Sequence, residues 1–202
     1  MQVSTEICNL ALGHLAASTI QDAETEQSTE AKVCRLFYSP ALREYLRDFR
    51  WPFASRIQAL ALIEEEPNSL WKYSYRYPSD CLDFYSIISP GLRAAQTVEP
   101  IPFVTSGDGQ GQIIFTDQPD AEAEYGVYID DPNLLPADFI MGFSFRLAFY
   151  MAPRLTKGDP FKLGERAWKA SQSWAAKAQY SARVESKSDP KPTTESITAR
   201  DS

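Results

Sequence analysis

Trp71-Lys-Tyr-Ser-Tyr-Arg-Tyr-Pro78 is the stretch that decides how this chain is read. In an extended strand, successive side chains point to opposite faces. Trp71, Tyr73, Tyr75 and Tyr77 therefore share one face, and Lys72, Ser74 and Arg76 the other. A period of two over this length argues for a strand and against an amphipathic helix. Each ring, if buried, removes about 150–250 Å² from water. At about 25 cal/mol per Å² that is about 4–6 kcal/mol per ring as an upper bound. A core or subunit-interface face explains four rings in register more simply than stacked bases or sugars, which would call for a basic surround.

Outward from this run the pattern continues. RIQALALIE, residues 56–64, alternates in the same way, and Leu82 to Ile88 and Val98 to Val104 are further strand candidates. Ile113, Ile114 and Phe115 follow a glycine-rich turn, Ser106-Gly-Asp-Gly-Gln-Gly111. Ala123, Tyr125, Val127 and Ile129 alternate again before Asp130-Asp-Pro-Asn133. Turn signals every eight to twelve residues favour antiparallel strands. The glycine spacing is G-x-G-x-G with a strand after it, so it reads as a hairpin turn and not a dinucleotide fingerprint. No phosphate-binding P-loop occurs either.

Both flanks read as helical. Ser4 or Thr5 can cap a helix with Ile7, Leu10, Ala11 and Leu15 on one side. After an acidic linker, QDAETEQ, Ser28 or Thr29 caps a second stretch whose apolar side is Ala31, Cys34, Phe37, Leu42, Tyr45, Leu46 and Phe49. Pro40 is expected to break or kink it, and Trp51-Pro-Phe53 to end it. Past the strands, Pro136 and Asp138 suit a first turn. Phe139 to Met151 is apolar on every side with Arg146 as its sole charge, the pattern of a buried helix. Asp159-Pro160 is expected to open a last helix. Its stripe, Phe161, Gly164, Trp168, Ser171, Ala175, Ala178 and Ala182, is mostly small and permits close approach of another helix.

The expected organisation is α+β. Segments 1–54 and 136–183 form a helical bundle, 55–135 an inserted antiparallel β-rich domain, and 184–202 an extended C-terminal tail. That tail, ESKSDPKPTTESITARDS from Glu185, holds one sizeable apolar residue, Ile197. Alone it cannot offset an ordering entropy of about 1–2 kcal/mol per residue, so a partner chain is the expected source of order.

Composition narrows the chemistry. The 202 residues hold 27 acidic and 20 basic side chains, a net charge of −7. That balance argues against a protein that grips nucleic-acid phosphates. Cys8, Cys34 and Cys81 are spaced as buried thiols in a reducing compartment, not as a disulfide framework. The N-terminus has no basic leader, and the most apolar stretch is too short to span a bilayer, so a soluble protein made in the cytoplasm is expected. His14 is the only histidine. No Cys or second His lies at ligand spacing, and a helix-surface or interface role is expected. Carboxylates cluster at Glu64-Glu65-Glu66, Asp80 with Asp83, and Asp130-Asp131. A glycosidase would need two such groups about 5–10 Å apart, one with a raised pKa, whereas clusters in polar turns are usually solvated.

Taken in order, Ile7-Cys-Asn-Leu-Ala-Leu-Gly-His-Leu-Ala-Ala-Ser18, EAKVCRLFYSPALREYL at 30–46, Trp51-Pro-Phe-Ala54, WKYSYRYPSDCL at 71–82 and the stretch from Ile113 through Pro153 resemble one family. It is the head–tail adaptor of short-tailed phages (podoviruses), also called tail tubular protein A. The closing Ile197-Thr-Ala-Arg200 resembles that family's ending, so the likeness spans nearly the whole chain. Two departures stand out: Ile197 occupies a place where an aromatic is common, and Gly107–Gly111 enlarges a hairpin.

The resemblance implies a virion protein at the head–tail junction and not an enzyme, with no cofactor and no metal. It implies a dodecameric ring bound to the portal above and to a tail nozzle of the tail tubular protein B type below. The ring would complete the head after packaging, and DNA would cross its lumen at ejection without sequence-specific binding or membrane contact. A net −7 repeated around the ring would help DNA slide if acidic groups line the bore. Lys191, Pro192, Ile197 and Arg200 of the tail are the expected portal contacts. Trp168, Trp174, Ala175 and Ala178 are expected in a subunit interface or the core. The alternative is a tail-associated cell-wall hydrolase using a carboxylate pair.

Overall fold

The structure, a computed structural model, describes residues 3–90, 99–129, 131–159 and 161–185. Its architecture is α+β: four helices and two antiparallel sheets among the described residues. Helices α1 (Thr5–His14) and α2 (Thr29–Arg47) precede seven strands, and α3 (Ala137–Leu155) and α4 (Leu163–Glu185) follow them. The first sheet has the order β1-β7-β4, from Ser55–Ala59, Glu122–Val127 and Cys81–Ile88. The second has the order β2-β3-β6-β5, from Leu62–Glu65, Tyr73–Arg76, Gln112–Thr116 and Phe103–Gly107.

The aromatic run makes a shorter strand than its pattern suggests. Only Tyr73–Arg76 pairs, and Trp71 lies outside it. Tyr75 pairs Ile114, and both are buried in a β core with Tyr125, Ala123 and Ile87. Phe84 of β4 meets Phe103 of β5 at 4.9 Å between ring centroids, which joins the two sheets. Ser74 is buried as well, its hydroxyl donating to the Glu64 carbonyl. RIQALALIE, read as one alternating stretch, is two strands. The chain leaves the first sheet at Ala59 and enters the second at Leu62, each strand at an outer position of its sheet. The strand expected from Val98 begins at Phe103, and Val98 lies outside the described residues. The glycine-rich turn does join β5 to β6, with Gly109 at φ +81°, a conformation glycine adopts without a Cβ clash.

The helical core is larger. Ser4 and Ser28 cap α1 and α2 through their hydroxyls. Helix α2 runs unbroken through Pro40, which sits on its exposed side. Its buried side also includes Val33 and Tyr38, which the apolar pattern omitted. The acidic linker is structured. Asn9 exchanges two hydrogen bonds with the backbone of Ile20, Ala23 is buried, and the Arg35 guanidinium donates to the carbonyls of Ala23, Glu24 and Glu26. Helix α3 lies among the other three helices and contacts each of them. Asp159 caps α4 differently from expectation. It adopts φ +60°, its carboxylate accepts from the amides of Leu163 and Gly164 at 2.6 and 2.9 Å, and the helix starts at Leu163. No helix among the described residues is long and apolar enough to cross a membrane.

Candidate functional site

Helix α4 is two-faced. Gly164, Ala167, Ser171, Ala175 and Ala178 are buried against α3. A methyl placed on Gly164 would come within 3.0 Å of the Ala152 Cβ. The other helix admitted by the small-residue stripe is thus α3 of the same chain, with Ala175 and Ala178 in the core. Phe161, expected on this stripe, is instead exposed. Trp168 is half-buried against Phe149 at 5.0 Å. Trp174 is also half-buried, and Lys177 stands 4.3 Å over its ring.

Arg146 ties three helices together. It is 1% exposed, donates to Glu44 Oε1 at 2.5 Å and Asp48 Oδ2 at 2.6 Å on the α2 side, and lies 4.4 Å over the Trp168 ring of α4. Tyr45 faces it at 5.2 Å. A guanidinium is flat and weakly hydrated, so aromatic faces can cover it while its edge binds carboxylates. Tyr150 donates to Glu44, and burial followed by that bond pushes its phenol up to about 12. The sequence alone marks Arg146 as the one charge between Phe139 and Met151. Glu44 and Asp48 lie about a hundred positions away and leave no local signal of the pairing.

A seam of arginines joins helices to the first sheet. Arg50 pairs with Glu124 of β7 and lies 5.0 Å over Tyr85 of β4, and Arg47 reaches Asp83 at 3.8 Å. Arg43 lies 4.4 Å over Tyr128. Gly126 makes room here, since a Cβ would strike the Tyr85 ring.

Several other candidate groups are held by neighbours, whereas the side chains of Glu64, Glu65 and Glu66 are exposed on and just after β2. His14 stacks on Phe145 at 3.6 Å and its Nε2 is 3.0 Å from Ser144 Oγ, so it links α1 to α3; burial lowers its pKa. Asp80 pairs with Arg56 and accepts from the Tyr125 hydroxyl. Asp22, Glu26, Asp108 and Glu165 are held below the usual carboxylate range, first by side-chain hydrogen bonds from Thr25, Ser28, Arg76 and Lys169 respectively. That direction is opposite to what a general acid needs. Asp130 lies outside the described residues. Cys8 and Cys34, distant in sequence, meet in the core. The Cys8 thiol donates to Cys34, which with burial raises its pKa, and Cys34 donates to Met151 Sδ at 3.6 Å. Among the described residues no group of three or more His, Cys, Asp or Glu could hold a metal ion. A pocket bounded by Trp51, Phe53, Pro136, Phe139 and Ala178 holds about 70 Å³, room for a few waters.

Lys191, Pro192, Ile197 and Arg200, the expected portal contacts, lie outside the described residues. No protein-family model matches the chain, and no curated protein matches it.

Proposed function

We propose that this chain is a structural head–tail adaptor of a short-tailed phage. Copies form a ring, dodecameric by the resemblance, between portal and tail nozzle. The ring completes the head after packaging and forms part of the DNA ejection channel. In this reading α1 to α4 are the bundle, the two sheets are the insertion, and the tail that follows α4 docks on the portal through Lys191, Pro192, Ile197 and Arg200. The protein carries no cofactor and is a virion component.

One observation carries the reading beyond the resemblance. Large apolar side chains stand exposed on the helical and the β parts alike: Phe161, Tyr180 and Val184 at 74, 72 and 51%, and Leu62 and Leu70 at 50 and 80%. Exposed apolar groups at separate places suit a subunit with two unlike faces, as a heterologous ring demands.

Co-expression of the chain with its portal tests this. Electron micrographs should show an added ring below the portal. Truncation before Glu185 should leave a folded protein that no longer docks. Docking unchanged by that truncation would remove the tail's role, and absence of any complex with portal would overturn the adaptor reading.

A further inference from the structure

The charge of the chain is unevenly divided. Residues 55–129 hold eleven carboxylates and four basic groups, a net −7 that equals the charge of the whole protein. Residues 154–184 run the other way, with seven basic groups against two acidic ones. Within each region one exposed element carries three of these charges in a row or stripe.

On α4 that element is the face turned away from α3. At 100° per residue, Arg166, Lys169, Ser173, Lys177, Tyr180 and Val184 fall within an arc of about 80°, roughly opposite the buried small residues. All six are exposed. Lys169 pairs with Glu165 of its own helix, at 2.7 Å. The stripe is thus cationic along its first turns and apolar toward its end.

On the β side the matching element is β2. It is an outer strand of its sheet, every residue in it is exposed, and it reads Leu62, Ile63, Glu64, Glu65, followed by Glu66. Among the described residues, the ion pairs of the chain leave all three glutamates out. A row of exposed apolar groups beside uncompensated charge at an open sheet edge is a surface built to be covered.

We propose that the outward face of α4 on one copy seats against the β2 edge of the next copy. Arg166, Lys169 and Lys177 would meet Glu64, Glu65 and Glu66, and Tyr180 and Val184 would cover Leu62 and Ile63. The two surfaces are opposite in charge and alike in carrying apolar groups. Both belong to every copy, so the contact is heterologous and propagates head to tail. The inference rests on the adaptor reading for the closed ring and adds which faces close it.

Charge reversal on the full chain tests it, read by sedimentation velocity. Lys169→Glu with Lys177→Glu makes both surfaces acidic; Glu64→Lys with Glu65→Lys makes both basic. Each variant alone should associate at least about tenfold more weakly than the parent, since like charges now face each other. All the altered side chains are exposed, and unchanged thermal melting verifies folding. An equimolar mixture should recover assemblies, because acidic and basic faces then alternate from copy to copy. A single chain carrying all four changes should also recover them.

Assemblies indifferent to both reversals, or a mixture that stays as dispersed as its components, would overturn the pairing. So would a parent chain that stays monomeric yet retains a short duplex DNA through the α4 lysines, which would make the basic stripe a phosphate-binding face. Portal capture is scored separately. Charge-insensitive rings that bind portal sink this pairing and keep the adaptor reading; charge-sensitive rings that ignore portal do the reverse.

Discussion

Arg146 among the helices and Arg50 at the seam each hold a carboxylate of another element, yet their side chains are 1% and 49% exposed. At the seam, water and salt screen the pair, and such contacts contribute about 0–1 kcal/mol. Arg146 itself is closed off from solvent, although its carboxylate partners reach the surface. The difference shows where each joint gets its strength. The helices are locked by a buried charge that has to be satisfied, whereas the seam depends on fit between Arg50, Tyr85 and the space left above Gly126.

The largest effect should follow from breaking the buried side of that contrast. Arg146→Ala removes the clamp on Glu44 and Asp48 and opens a void between Tyr45 and Trp168. Removing one partner of a buried pair costs about 3–5 kcal/mol. Glu44 and Asp48 remain 42% and 33% exposed and can take up water, so the loss should lie near about 3 kcal/mol, measured by urea unfolding. A loss below about 1 kcal/mol would put Arg146 on a par with the seam.

Two glycines sharpen the comparison at smaller scale. A Cβ on Gly142 would strike the hydroxyl of Tyr45, a fully buried ring, and come within 3.2 Å of the Trp174 Cβ. Neither neighbour can swing away, so Gly142→Ala should cost about 1–3 kcal/mol despite the better helix propensity of alanine. On Gly126 a Cβ would strike Tyr85, which is only partly buried and can turn outward. Gly126→Ala should therefore cost less than Gly142→Ala, and Arg50→Ala should cost about 0.2–1 kcal/mol. Equal melting-temperature losses for the two glycine variants would remove the distinction between a rigid helical core and an adjustable seam.

The same contrast explains what was legible in the sequence. Helix α3 was readable because burial on every side leaves a run with a single charge, and the serines at 4 and 28 cap helices by a purely local bond. The hairpin at 106–111 was readable because its glycines mark the turn. Strand limits were not. Whether Leu60 ends one strand or continues into the next depends on which sheet receives Leu62, and alternation carries no such information. Pro40 does not break α2 because the cost of a proline falls on one carbonyl, and an exposed helix side lets water satisfy it. The α4 stripe was legible as a close-packing face but silent on its partner, which is α3 of the same chain. The partners of Arg146 and the meeting of Cys8 with Cys34 join positions from different helices, beyond the reach of local pattern.

His14 offers the smallest effect and a direction that is easy to check. Its ring is stacked on Phe145 and bound to Ser144, and burial lowers its pKa below the ordinary 6.5. The unfolded chain therefore takes up the proton first as pH falls. The contribution of the neutral ring is complete above about pH 6.5 and is lost as pH drops through the lowered folded value. Asp22, Glu26, Asp108 and Glu165, also lowered, act further down, below about pH 5, and leave this window clear. Melting temperature should fall between pH 7.5 and 5.5 in the parent, and the fall should shrink in His14→Gln, which keeps a polar group facing Ser144 but cannot titrate. An identical slope in both proteins would mean that the proton enters elsewhere and that the α1–α3 contact is indifferent to it.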